Sequence, residues 1–256
     1  MKVKFLGTHN AESKNTRLVS LLIDEVLVID TGCVTSELSY IEQEKVKAIL
    51  LTHGHYDHIR GVPAFAFNNY CMVTPVYATQ PALDMLSSNL IDGVIYPKFT
   101  ETTPMCDERS LELITLEPNR SVNIEGYQVL PLSVNHKLGA VGFEIAAKNG
   151  KKLFFTGDTG HDLSSLWKKI TPDVLIIEVT FPDSREQTAI DAQHLCPKML
   201  HKELQDFQKI KGYFPRVILI HLCPKLEQEI REDIKKVAKD LDLPIEIAVE
   251  GQQINV

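Results

Sequence analysis

The chain has 256 residues, of which 44% are hydrophobic and 24% are charged, and its formal net charge at pH 7 is −7. This composition is ordinary for a folded globular protein, so a disordered or fibrous chain is excluded, and no uncharged apolar run approaches the roughly 20 residues of a membrane span. The acidic balance lacks the basic footprint that is typical of nucleic-acid binding, so large RNA or DNA is not an expected partner.

The N-terminus and the cysteines indicate a cytoplasmic protein. Met1–Gly7 begins a strand-like pattern and lacks the long apolar region of a signal peptide. The cysteines are scattered, odd in number and without a CxxC pair, which predicts free thiols in a reducing compartment. They are Cys33, Cys71, Cys106, Cys196 and Cys223.

The first half of the chain reads as strands followed by helices. Asp24-Glu25 is a candidate tight turn between two strands, and Pro81 suits the first turn of a helix. Residues 91–120 have no clear period and predict a loop with short strands. The predicted strands are Val3–Leu6, Leu18–Ile23, Val26–Ile29 and Val46–Leu51, and helices are predicted after His58 through Phe67 and near Gln80–Leu90.

The second half repeats this order. Asn149-Gly150 is a strong hairpin signal, and Glu227–Asp242 has the apolar spacing of an amphipathic helix. A further helix is predicted over 197–210. The predicted strands are Gln128–Val134, Val141–Ala146, Lys152–Thr156, Asp173–Val179, Arg216–His221 and Ile245–Val249.

This pattern, without a flexible linker, predicts one α/β (α+β) domain over residues 1–256, with strand-rich sheets that carry helices outside. The stretch Val62–Phe67 is apolar enough for either the core or the surface of a homodimer.

The clearest chemical signal is the segment Thr52-His53-Gly54-His55-Tyr56-Asp57-His58. Three histidines and one aspartate fall within six residues, directly after a strand that reads as buried. Imidazole and carboxylate are natural ligands of a borderline divalent metal, and a loop can turn several of them inward. Packing alone gives no reason to crowd four such groups together, so we interpret the segment as a metal-binding loop.

This segment resembles the H-x-H-x-D-H motif of the metallo-β-lactamase superfamily, and further motifs of that family follow in order over nearly the whole chain. The resemblance implies a four-layer αββα sandwich. The matching segments are Phe5-Leu6-Gly7-Thr8, Ile29-Asp30-Thr31-Gly32, Val134-Asn135-His136, Thr156-Gly157-Asp158-Thr159 and Ile220-His221.

Carried over by position, the resemblance implies two divalent metal ions, with Asp158 bridging them. His53, His55 and His136 would hold one ion, and Asp57, His58 and His221 would hold the other. Two such ions about 3.5–4 Å apart share a water and lower its pKa toward neutrality, which gives a hydroxide nucleophile. The nitrogen and oxygen donors suit zinc but equally manganese or iron, so the donor type does not decide the metal, and zinc is the expected one. Asp30 is either an acceptor that orients a ligand histidine or a turn residue.

The segment Phe5-Leu6-Gly7-Thr8 followed by Asn15-Thr16-Arg17, together with Thr156-Gly157-Asp158-Thr159, resembles the branch that includes ribonuclease Z and the class II cyclic-nucleotide phosphodiesterases. In ribonuclease Z, a glutamate and a histidine after the bridging aspartate form a proton-donating pair, and Glu178 and His194 match those positions. A poor alkoxide leaving group benefits from such a general acid. The alternative is that His194 caps a helix and Glu178 is a surface acid. The candidate catalytic residues are Asp57, Glu178 and His194.

One difference between this sequence and ribonuclease Z argues against tRNA processing. Ribonuclease Z has a long arm for tRNA between its third and fourth motifs, whereas the segment between His136 and Asp158 has room only for a hairpin. We therefore expect a hydrolase, a phosphodiesterase on a small nucleotide-like substrate such as a cyclic nucleotide. The alternatives are an endonuclease that processes tRNA 3′ ends, a lactone or thioester hydrolase, and a di-iron redox or sensing protein.

Overall fold

The structure, a computed structural model, describes residues 1–102 and 107–256. The strands are β1 (Lys2–Gly7), β2 (Ser20–Ile23), β3 (Leu27–Ile29), β4 (Ala48–Leu50), β5 (Thr74–Ala78), β6 (Leu111–Thr115), β7 (Val122–Ile124), β8 (Tyr127–Ser133), β9 (Val141–Ala146), β10 (Lys152–Phe155), β11 (Val174–Glu178), β12 (Arg216–Ile220), β13 (Ile245–Ile247) and β14 (Gln253–Asn255). The helices are α1 (Val34–Glu37), α2 (Tyr40–Gln43), α3 (Tyr56–Ile59), α4 (Gly61–Asn68), α5 (Gln80–Asn89), α6 (Ser164–Trp167), α7 (Glu186–Ala192), α8 (Pro197–Lys211) and α9 (Glu227–Asp240).

Within the described residues, the strands form two seven-stranded mixed sheets. The first has the order β14-β1-β2-β3-β4-β5-β6, and its pairs from β3 to β6 are parallel. The second has the order β13-β12-β11-β10-β9-β8-β7, and its pairs from β10 to β13 are parallel. Because parallel strands need crossover connections, helices lie between many of them in the chain.

Three apolar clusters arrange the sheets and helices in layers. The cluster between the sheets includes Phe5 and Ile29 from the first sheet with Phe143 from the second. A second cluster packs α4 and α5 on the outer face of the first sheet, and a third packs α8 and α9, with Phe207, on the outer face of the second sheet. The described part of the chain is thus the αββα sandwich that the resemblance implied.

Two predicted turns are confirmed. Asp24 and Glu25 lie in the turn between β2 and β3 with φ angles of 44° and 65°, and the backbone NH of Val26 donates to the carbonyl of Ile23 at 3.0 Å, which closes a tight turn. Gly150 lies in the connection between β9 and β10 with φ 82°, so the segment between His136 and Asp158 is a hairpin.

The helix predicted after His58 and through Phe67 is present as α4, but it begins only at Gly61 and is separate from the short helix α3, which ends at Ile59. Pro63 has no NH to donate to the carbonyl of Ile59, so a continuous helix would lose a hydrogen bond there. A Cβ at Gly61 would lie 2.0 Å from the carbonyl oxygen of Thr31, so only glycine permits this close approach. Most of Val62–Phe67 is buried in the outer cluster.

The prediction that all cysteines are free thiols is wrong for Cys71, which is disulfide-bonded. An odd count does not prevent one pair from forming, and spacing in the chain does not reveal which cysteines meet in space. Cys33, Cys196 and Cys223 are free, and the prediction for Cys106 lies outside the described residues. Among the helices of the described chain, none combines the length and apolarity needed to cross a bilayer.

Candidate metal centre

The polar side chains of the candidate centre follow strands from both sheets. His53 and His55 come after β4 of the first sheet, immediately before α3. His136, Asp158 and His221 come after β8, β10 and β12 of the second sheet. Because the buried strands form a rigid scaffold, the loops that follow them can hold several polar groups at one point.

The first group of donors is formed by His53, His55, His136 and Asp158, whose ligand atoms lie within 4.8 Å of one another. Nδ1 of His55 is 2.8 Å from Nε2 of His53 and 3.2 Å from Nε2 of His136. Oδ2 of Asp158 is 3.6 Å from Nε2 of His53. Three imidazole nitrogens and one carboxylate oxygen at these distances suit a borderline divalent cation.

The second group is formed by Asp57, His58, Asp158 and His221. Oδ1 of Asp158 is 3.3 Å from Nε2 of His58 and 3.3 Å from Nε2 of His221. Oδ2 of Asp57 is 3.5 Å from each of the same two nitrogens. Asp158 therefore turns one oxygen toward each group, and it is the residue that the groups share.

Asp30 orients the loop that carries His53 and His58. Its buried carboxylate accepts hydrogen bonds from the backbone NH and the hydroxyl of Thr52, at 2.8 and 2.9 Å, and from Nδ1 of His58 at 2.7 Å. The Thr52 hydroxyl, which donates to Asp30, accepts from Nδ1 of His53 at 3.0 Å. With Nδ1 engaged, each ring turns Nε2 toward the centre. These contacts favour the orienting role of Asp30 over the turn-forming one.

Two partners that the sequence did not single out orient the histidines of the second sheet. Nδ1 of His136 donates to the backbone carbonyl of Gln193 at 2.9 Å. Nδ1 of His221 donates to the Thr180 hydroxyl at 2.8 Å, and this hydroxyl donates to Glu178 at 2.7 Å. Gln193 has a left-handed backbone, with φ 59°, which no local sequence signal reveals. Thr180 follows Glu178 by two residues, and this proximity was the one sequence feature that could have indicated its role at the site.

Burial keeps the imidazoles of the first group neutral. It lowers the pKa of His53 well below its usual range, and the neighbouring imidazole of His58 lowers that pKa further. Burial is also the main reason that the pKa values of His55 and His136 are lowered. A neutral imidazole has the free electron pair that a metal ion requires.

Carboxylate charges determine the direction of the pKa shift of His58 in the second group. Burial lowers the pKa of His58, but the charges of Asp158, Asp30 and Asp57 outweigh it and raise that pKa well above its usual range. Burial likewise opposes the ionised form of Asp57, yet the imidazole of His58 lowers its pKa. The pKa of Asp158 is lowered despite burial because of the imidazoles of His221 and His58. The carboxylates therefore stay ionised, and the group attracts positive charge.

Two buried atoms at the centre lack a hydrogen-bond partner in the part of the chain that the structure describes. They are Nε2 of His58 and Oδ1 of Asp158. Buried polar atoms are nearly always paired, and a cation between these two donors would satisfy both. This cluster of histidine and aspartate side chains is able to bind a metal ion.

The buried carboxylate of Glu178 and the partly buried imidazole of His194 form a pair beside the second group. Oε1 of Glu178 accepts from Nδ1 of His194 at 2.6 Å and from the backbone NH of Thr159 at 2.9 Å. The rings of His194 and His221 stack with centroids 5.3 Å apart. Burial lowers the pKa of His194, but the charge of Glu178 and its hydrogen bond outweigh burial and raise that pKa to about 9. His194 is thus able to hold a proton at neutral pH next to the centre.

The alternative, in which His194 caps a helix and Glu178 is a surface acid, does not fit the structure. Glu178 is fully buried rather than on the surface. His194 does not cap a helix, since α8 begins at Pro197 and its N-terminal cap residue is Cys196. Asp158, Glu178, His194 and His221 also lie close enough to hold an ion. The carboxylate of Glu178 already accepts from several protein donors, however, so it is better suited to hold His194 than a metal.

We expect His194 of the metal-free protein to titrate with a pKa of about 9, followed by NMR of its ring protons. Because this value exceeds the unfolded value of about 6.5, the pair stabilises the fold fully below about pH 6.5 and loses this contribution as the pH rises further. The loss is complete above about pH 9. Glu178→Gln should move the midpoint back toward the unfolded value. An unchanged midpoint in that variant would contradict the assignment.

Asp30→Asn is expected to weaken divalent-cation affinity by about 10- to 100-fold, because it removes a charged acceptor behind the loop. The measurement is a Zn²⁺ titration against a competing chelator. Asp84→Asn, on the exposed side of α5, is the matched control and should bind as tightly as the unchanged protein. Equal affinity in both variants would show that Asp30 does not support the centre.

The chain is similar to known proteins over the segment that carries the donor groups. Residues 28–222 match the family model described as beta-lactamase superfamily domain. A ribonuclease Z from Oceanobacillus iheyensis is 22% identical over 249 residues, with 76% of this chain and 81% of the relative covered. A UPF0173 metal-dependent hydrolase from Cupriavidus metallidurans is 28% identical over 148 residues, with 53% of this chain and 48% of the relative covered.

This chain spans less than half the length of that hydrolase and 37% of a further relative, an RNase J-like protein from Methanocaldococcus jannaschii. Among solved structures, unliganded yeast PDE1 superimposes with a TM-score of 0.82 at 17% identity, with 98% of each chain covered. That likeness shows the shared fold. Since the family model spans more than half of the chain and includes every residue of both donor groups, this chain belongs to the beta-lactamase superfamily.

Proposed function

We propose that this chain is a dinuclear metal-dependent phosphodiesterase that acts on a small nucleotide-like substrate such as a cyclic nucleotide. The observation that carries the proposal is the position of Asp158, which offers one oxygen to each of two donor groups. The relatives named as metal-dependent hydrolase and ribonuclease support the same class of reaction.

The donor groups assign the roles. In this proposal His53, His55 and His136 hold one cation, and Asp57, His58 and His221 hold the second. Asp158 contributes to both. The mixture of imidazole nitrogens and carboxylate oxygens suits Zn²⁺, and Mn²⁺ or iron also fits such donors.

The reaction needs a nucleophile, charge neutralisation and a proton for the leaving group. When bound, the two cations supply a water of lowered pKa and neutralise charge on the phosphoryl oxygens. His194 provides the proton, because its Nδ1 donates to Glu178 and leaves the protonated Nε2 for the departing alkoxide oxygen. Glu178 positions the ring and favours its charged form.

A small substrate is favoured over tRNA. Strands β9 and β10 pair directly as a hairpin, so the segment between His136 and Asp158 forms no extended arm. The net charge of −7 also disfavours a long polyanion. These two observations support a cyclic nucleotide or another small phosphodiester.

The test is a substrate panel with protein that has been freed of metal and reloaded with Zn²⁺, Mn²⁺ or Fe²⁺. We expect hydrolysis of bis(4-nitrophenyl) phosphate and of a cyclic nucleotide, and loss of both activities on chelation. Cleavage of a 3′-extended tRNA in preference to both would favour the endonuclease. Turnover of lactones or thioesters without phosphodiester hydrolysis would overturn the phosphodiesterase and keep the metal centre.

A further inference from the structure

A cavity of about 330 Å³ adjoins the candidate centre on the side of His136. Its walls come from the start of α5, from residues 115–118 at and after the end of β6, and from the end of β8 with its connection to β9. The volume is near the lower end of the range for small-molecule sites, about 300–1,000 Å³. We call this space the His136 cavity.

The His136 cavity carries little charge. Of the described residues that line it, Glu117 is the one carboxylate, and none is lysine or arginine. Pro81, Pro118 and Leu116 give it apolar surface. An anionic group placed here would find no lysine or arginine in the lining and would face the carboxylate of Glu117, whereas an uncharged ring would lose little on entering.

Hydrogen bonds connect the segments that form the walls of the cavity. The Thr79 hydroxyl donates to the carbonyl of Gly139 at 3.0 Å, and the Thr115 hydroxyl donates to Oε1 of Gln80 at 2.7 Å. Gly139 has φ 65°, and a Cβ on it would lie 3.0 Å from Cγ of Pro81. The absence of a side chain there keeps the two walls from colliding. These contacts indicate a preformed cavity.

His136 belongs to the cavity wall and to the first donor group alike. Its Nδ1 donates to Gln193, which fixes the ring, and its Nε2 lies 3.2 Å from Nδ1 of His55. The cavity and the first donor group therefore meet at His136, which is part of both.

We propose that the His136 cavity binds the uncharged organic portion of the phosphodiester, a group of about the size of one nucleoside. This inference rests on the proposed function and adds to it which part of the substrate occupies this space. Selectivity then follows from charge: substrates with a neutral nucleoside here are preferred to those that carry a second phosphate.

The experiment compares adenylyl-(3′→5′)-adenosine with the same dinucleotide phosphorylated at either terminus, using metal-loaded protein. We expect at least one phosphorylated form to have a kcat/KM lower by about tenfold or more, because its extra phosphate faces Glu117. Glu117→Lys should reduce that preference by about tenfold. Glu229→Lys, an exposed residue of α9, changes the net charge equally and should keep the preference.

A binding measurement on metal-free protein separates this inference from the proposed function. Adenosine should shift the backbone amide resonances of Gly139 and Ala140, and Ser133→Phe, which fills the cavity, should abolish these shifts. Adenosine shifts without phosphodiesterase activity would support the cavity and overturn the proposed function. Phosphodiesterase activity with no adenosine shifts, or with equal preference in the Glu117 and Glu229 variants, would overturn the cavity.

Discussion

Asp158→Asn is expected to reduce phosphodiester hydrolysis by about 10³-fold or more, because the metal centre supplies both the nucleophile and the charge neutralisation. Asp158 offers one oxygen to each donor group, whereas asparagine is neutral and has a single oxygen. The metal content should fall together with the activity. The measurements are elemental analysis of the purified variant and turnover of bis(4-nitrophenyl) phosphate.

The matched control is Asp162→Asn. Asp162 is close in sequence, its side chain is 68% exposed, and its φ is 70°, a left-handed conformation that asparagine tolerates well. This variant should keep full metal content and full activity. If Asp158→Asn retained two cations and near-normal turnover, the shared-carboxylate arrangement would not be the basis of activity.

His194→Gln should slow hydrolysis of a phosphodiester with an alkoxide leaving group by about 10²- to 10⁴-fold, the usual contribution of a general acid. The same variant should cleave a 4-nitrophenyl ester at nearly the unchanged rate, because 4-nitrophenolate departs without a proton. Glu178→Gln should show the same dependence on the leaving group, since Glu178 holds the ring of His194 at 2.6 Å.

His201→Gln is the control for this pair. His201 is a surface histidine of α8 that contacts Asp240, away from the donor groups. Its replacement should leave both substrates unaffected. An equal slowing of the aryl and alkyl substrates by His194→Gln would indicate a positional or metal-binding role for His194 and would contradict proton donation.

The local part of the candidate site could be predicted from the residues alone. His53, His55, Asp57 and His58 are adjacent in the sequence, so their shared chemistry is visible without a fold. His136, Asp158 and His221 came from the resemblance, because no spacing rule connects residues that meet only after two sheets pack together. The contribution of Gln193 was not predictable, since it depends on a left-handed backbone that brings its carbonyl to a distant ring.

The same distinction applies to the fold. Buried, mainly apolar strands such as β11 and the amphipathic helices α8 and α9 were predicted within a few residues of their observed ends. The four-residue helices α1, α2 and α6 were missed because one turn carries no periodic signal. Strand β14 is short and polar at both ends, and it exists because β1 offers an unpaired edge.

The two donor groups draw on both sheets: the segment His53–His58 follows the first, and His136, Asp158 and His221 follow the second. Neither sheet alone therefore supplies all the ligands of either metal ion. Two metal ions bound there would be held by residues of both sheets, and their binding free energy would resist separation of the two sheets. Removal of the ions by chelation should therefore weaken the contact between the two sheets and lower the unfolding temperature of the protein.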